Sequence, residues 1–149
     1  MPETMTRIHI QRLETRGHWG IKCGLDNPRM LLQALDHPER SFRTLEIVGT
    51  NGKGSTGAFV ANAIRAAGYQ VGWTTSPHLV SPAERIWVDG AFLDEEALDR
   101  LLGEAFEAEA RSGIRATYFE LMITAAMLAF QERGVDLAVV EAGLGGRLD

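Results

Sequence analysis

The chain has 149 residues, 45% hydrophobic and 23% charged, which suits one hydrophobic core and excludes a disordered segment. A net charge of −5, from 15 basic and 20 acidic side chains with no basic cluster, argues against nucleic acid as a partner. Cys23 is the single cysteine, so no internal disulfide forms, and no run approaches the roughly 18 apolar residues of a membrane span.

The N-terminal Met1-Pro2-Glu3-Thr4 lacks an apolar leader, so the protein reads as cytoplasmic. Residues 1–43 look irregular, apart from a short helical pattern at Met30-Leu31-Leu32-Gln33-Ala34-Leu35 ended by Pro38. A strand is predicted over about 45–49 and a helix over about 55–67, with Gly68 as its C-terminal cap. Phe59, Val60, Ala63, Ile64 and Ala67 share one face of that helix, expected to be the buried one. A second strand over 70–75 runs into Ser76-Pro77-His78. Arg85-Ile86-Trp87-Val88, Asp89-Gly90 and Ala91-Phe92-Leu93 then read as a hairpin, because Asp-Gly favours a two-residue turn.

Asp94 can cap the next helix, with Glu95 and Glu96 in its positive first turn. Leu98, Leu101, Leu102, Ala105 and Phe106 follow the spacing of a core-facing stripe. A further helix is predicted over 118–133, ending at Gly134, and a last strand over 137–141. Apolar strands separated by helices predict an α/β fold with a mostly parallel sheet covered on both faces. The last strand is too apolar for a comfortable sheet edge, and the glycine-rich turn after it leads nowhere. The chain therefore reads as a fragment.

Gly49-Thr50-Asn51-Gly52-Lys53-Gly54-Ser55-Thr56 stands between the first strand and its helix, the context of a phosphate-binding loop. Backbone N–H groups there converge on an anion, and Lys53 adds a full positive charge. The loop departs from the pattern G-x-x-x-x-G-K-[ST]. Ile47 occupies the position of the first glycine, and Gly54 separates Lys53 from the Ser55 hydroxyl. Glu141 ends an apolar strand at the edge where ligands bind in such sheets, and suits a Mg²⁺ ion directly or through water. Its alternative is a merely exposed acid. Ser76 could supply the metal oxygen that Ser55 does not reach, and His78 could touch substrate; taken alone, Ser-Pro is an ordinary turn. Thr117-Tyr118-Phe119-Glu120 satisfies the capping-box pattern, which accounts for Thr117 and Glu120 without function. Tyr118 and Phe119 suit either a pocket or the core.

Together with the terminal Glu-Ala-Gly-Leu-Gly-Gly-Arg-Leu-Asp, these motifs make the chain resemble folylpolyglutamate synthase/dihydrofolate synthase, the folate branch of the Mur ligase superfamily. The resemblance covers about residues 18–149. It implies that Thr50, Asn51, Gly52, Lys53, Gly54 and Ser55 bind ATP, with Lys53 on the β- and γ-phosphates. It implies Ser76 and Glu141 as Mg²⁺ ligands, and Gly24, His78, Thr117, Tyr118, Phe119, Glu120, Leu148 and Asp149 around the pteroate or folate pocket. The implied reaction is ATP-dependent ligation of L-glutamate to dihydropteroate or to a folate's glutamate tail through an acyl phosphate. Family members run to more than twice this length. On that comparison residues 1–43 would pack on an ATP-binding domain over 44–149, a C-terminal ligase domain would be missing, and the full-length enzyme would be a monomer. A non-catalytic nucleotide-binding module, or another P-loop phosphotransferase, is the alternative reading.

Overall fold

The computed structural model describes residues 7–17 and 24–143. Five strands, β1 (Arg43–Ile47), β2 (Val71–Thr74), β3 (Ile86–Val88), β4 (Ala91–Phe92) and β5 (Leu137–Glu141), form one sheet in the order β1-β5-β2-β3-β4. β5 pairs in parallel with both β1 and β2, and its centrality explains its apolar sequence. Among the described residues the sheet's edges fall on β1 and β4 instead. The antiparallel partners are the predicted hairpin, β3 on β2 and β4 on β3.

Two faces of the sheet carry separate cores. On one side packs α3 (Lys53–Ala66), against Val71, Trp87 and Val139. On the other lies α5 (Tyr118–Glu132), with α4 (Glu95–Ser112) packed against it. Alternation along β5 serves both cores, Ala138 facing α5's and Val139 facing α3's. Cover is incomplete at β1, where Leu45 is 38% exposed and Val48, just beyond it, 55%.

Caps set the helix starts. The Asp94 carboxylate accepts the Ala97 N–H at 2.7 Å, and all five residues of the expected α4 stripe are buried. Thr117 and Glu120 form a reciprocal capping box at α5. α3 presents a different face from the predicted one: Phe59 is 79% exposed, and Ala63 and Ala67 are exposed too. Gly57 and Ala61 are buried instead, with Val60 and Ile64 partly so. Small residues win this face because the helix lies close to the sheet. A Cβ on Gly57 would stand 2.5 Å from Trp73 Nε1.

The N-terminal region is more ordered than expected. It contains α1 (Ile8–Glu14), and the short pattern near Met30 extends into α2 (Asp26–Ala34). Asp99 of α4 caps α1 across the fold, its Oδ1 accepting the His9 and Ile10 N–H groups at 2.8 Å each. Ile10 and Leu13 then bury against the α4 and α5 core. Among the described residues no helix is long and apolar enough to cross a membrane.

Candidate nucleotide and substrate site

The start of α3 differs from those of α4 and α5. Gly52 is its N-cap, with φ +77°, and offers no side-chain acceptor to the first-turn amides. Those amides have no intrahelical partner, so they remain available to an anion at the positive end of the helix. Thr50, Asn51, Gly52 and Ser55 are exposed around them, and Gly54 is half-buried. Lys53 reaches back over the turn, its Nζ donating to the Gly49 carbonyl at 2.9 Å.

The ends of three strands meet this loop. In register, Ile47 lies beside Glu141 and Thr74 beside Val140, so the turns after β1, β2 and β5 share one sheet edge. A methyl group on Gly54 would lie 3.6 Å from Thr75 Oγ1, which brings the end of β2 against the loop. Glu141 is 7% exposed, and its Oε2 accepts the Ser76 N–H at 3.0 Å. Its own N–H donates to Thr74 Oγ1 at 3.1 Å. These bonds draw the carboxylate and the Ser76 backbone together beside a narrow niche that also touches Thr75, Arg85 and Phe119.

Among the described residues no cluster of three His, Cys, Asp or Glu side chains gathers to hold a metal. One carboxylate and one hydroxyl nonetheless suit Mg²⁺, which keeps several waters and takes its remaining oxygens from phosphate. The donor set fits that ion.

Next to the niche lies a cavity of about 270 Å³, lined by Gly17, Ser76, Pro77, Arg85, Tyr118, Phe119 and Gly143. Tyr118 and Phe119 therefore wall a pocket. Burial pushes the Tyr118 hydroxyl above its usual pKa, against the opposing charge of Arg85. Thr117 and Glu120 serve the helix start, Thr117 N–H donating to Glu120 Oε2 at 2.6 Å. Asn27 Nδ2 also donates to that oxygen at 3.2 Å, which ties the segment after Gly24 to the start of α5. His78 is half-buried, and its Nδ1 accepts from Arg85 Nε at 2.8 Å. Leu148 and Asp149 lie outside the described residues. A larger cavity of about 430 Å³ lies between Arg43 and Asp136, at the opposite end of the strands, and holds none of these groups.

Arg85 is the site residue that motif reading passed over. Its only signal in the sequence is a cation opening the apolar run Ile86-Trp87-Val88. The approach of Arg85 to Tyr118 and Ser76 arises only on folding.

No protein-family profile matches the chain. It is 40% identical over 136 residues to dihydrofolate synthase/folylpolyglutamate synthase of Bacillus subtilis, covering 88% of this chain and 32% of that protein. The structure of E. coli FolC in complex with DHPP and ADP superposes with a TM-score of 0.85 at 35% identity, over 94% of this chain and 33% of that one. A bifunctional folylpolyglutamate synthase/dihydrofolate synthase with Mn, AMPPNP and L-glutamate bound gives a TM-score of 0.85 at 31% identity, over 95% and 34%. The chain thus spans about a third of the length of the curated relatives it matches.

Proposed function

We infer that this chain, which matches the folylpolyglutamate synthase/dihydrofolate synthases in sequence and fold, is the ATP-binding portion of such a ligase. The whole protein then joins L-glutamate to dihydropteroate or to the glutamate tail of a reduced folate. The observation that carries the reading is the uncapped start of α3. It stands with Lys53 at the same sheet edge as the Ser76–Glu141 pair.

In this reading the α3 amides and Lys53 hold the nucleotide's phosphates, and residues 50–55 close around them. Ser76 and Glu141 hold Mg²⁺, which supplies charge neutralisation for phosphoryl transfer. Tyr118, Phe119 and Pro77 take the flat heterocycle of the acceptor, with Gly24, His78, Thr117 and Glu120 around the same pocket. The acceptor's carboxylate attacks the γ-phosphate, giving an acyl phosphate and ADP. Glutamate's amine then displaces inorganic phosphate and loses a proton as the amide forms. The loop's task is to position and stabilise charge, because phosphoryl transfer asks little covalent chemistry of the protein.

Residues 1–43 act as a packing segment and 44–149 as the nucleotide-binding domain. The further length of the relatives would carry the glutamate-binding and closing parts. We assign the protein to the cytoplasm, where its lone cysteine stays reduced. It works there as a monomer when joined to that remainder, with no nucleic acid or membrane as partner. Matches to both sequences and structures named for these ligases leave an unrelated phosphotransferase without support.

The test is phosphate release by a polypeptide that carries the remaining length. Release that requires both dihydropteroate or folate and L-glutamate supports the reading. ATP turnover indifferent to both would overturn it.

A further inference from the structure

We propose that Arg85 is the group that grips the acceptor's carboxylate, and so selects acids over their neutral counterparts. This rests on the reading above that Tyr118 and Phe119 wall the acceptor pocket. Arg85, Ser76 and Phe119 line both the 270 Å³ cavity and the narrow niche beside Glu141. The guanidinium therefore stands where the aromatic-walled space opens toward the proposed cation pair. A substrate with its ring in the cavity and its reacting end toward the nucleotide has to pass its carboxylate through that junction.

The side chain is prepared for this task. Its Nε donates to His78 Nδ1 at 2.8 Å, and its guanidinium carbon sits 5.1 Å from the Tyr118 ring centroid. These two contacts hold the guanidinium in place. Among the described residues, Arg85 forms no ion pair within 4 Å, although Glu141 lines the same niche. Its Nη groups make no hydrogen bond there either. A half-buried cation that meets no counter-ion among the described residues is costly, and a planar carboxylate meets a guanidinium with two parallel bonds. The ring beneath it favours the cation but neutralises no charge. The unmet charge is what an acidic ligand would satisfy.

Titration of pteroic acid and its methyl ester into this chain, in low salt with EDTA and no nucleotide, separates the possibilities. The two probes share ring and shape and differ in charge. The wild-type protein should bind the acid about tenfold more tightly than the ester, the scale of one charge-assisted fork. Arg85→Gln should bring that ratio close to one while leaving ester affinity within about twofold. Arg85→Lys should fall between the two, since it keeps charge without the fork. A role confined to holding the His78 turn would weaken acid and ester together, and an unchanged ratio in Arg85→Gln would overturn the inference with the pocket reading intact. If neither replacement folds, a wild-type ratio near one refutes it. If neither probe binds the wild-type protein at all, the pocket reading and the inference fail together.

Discussion

The Glu141 carboxylate accepts the Ser76 backbone N–H at 3.0 Å, so the acid and the serine assigned to one cation already lie side by side. Glu141→Gln separates the charge from this scaffold, because the amide oxygen still accepts the Ser76 N–H. The variant should fold normally and lose the Mg²⁺-dependent part of ATP affinity, about tenfold or roughly 1.4 kcal/mol. Calorimetric ATP titrations with and without Mg²⁺ measure it. An Mg²⁺ response equal to the wild type would reject Glu141 as a ligand.

Among the described residues Lys53 makes one hydrogen bond, an exposed one to the Gly49 carbonyl. Its loss should cost stability little, since a single hydrogen bond is worth about 1 kcal/mol and water replaces an exposed one. A phosphate contact is charge-assisted and worth about 1.5–3 kcal/mol. Lys53→Ala should therefore leave the urea midpoint almost unmoved and weaken ATP binding by about tenfold or more. Near-normal ATP affinity would refute the assigned role.

Much of this arrangement was legible because its signals are local. Asp94 before Glu95-Glu96, the Thr117–Glu120 box and the alternation around Asp89-Gly90 each act within a few residues, and all three form as expected. Helix α1 was not legible, because its cap is Asp99, 90 residues away in the chain. The buried face of α3 was misread for a related reason: hydrophobicity favoured Phe59, whereas the distance between helix and sheet favoured Gly57 and Ala61. The neighbours of β5, and the junction at Arg85, depend on strand order, which periodicity does not encode.

Gly72 shows how tightly the sheet is packed from the α5 side. A Cβ built there would lie 2.4 Å from Phe130 Cδ1 and 2.5 Å from Cε1, and Phe130 is 0% exposed. Replacing a strand glycine ordinarily stabilises by roughly 0.5–1 kcal/mol. Here overpacking opposes it with about 1–3 kcal/mol, because the enclosed ring has nowhere to turn. Gly72→Ala should lower the melting temperature. A neutral or stabilised variant would mean that Phe130 can shift.

Glu109 is 5% exposed, and its carboxylate takes both Arg16 Nη groups at 2.7 Å and the Ala116 N–H at 2.7 Å. Burial acts to raise its pKa, but the Arg16 bonds, the Ala116 N–H and the nearby positive charge together hold it below the usual range. A carboxyl lowered by folding stabilises the protein above its unfolded value, about 4.3, and loses that contribution as pH falls through the folded value. Glu109→Gln should therefore cost about 3–5 kcal/mol at neutral pH, since it leaves Arg16 buried against a neutral amide. The deficit should shrink in acid, where the wild type also loses its charge. Urea unfolding from neutral pH down through the range below about 4.3 follows both curves. Parallel curves would show that Glu109 carries no folding-linked charge. The consequence reaches the pocket, because Arg16 directly precedes Gly17, which lines the cavity. A loosened clasp should weaken pteroate binding in folded Glu109→Gln, and should weaken acid and ester alike.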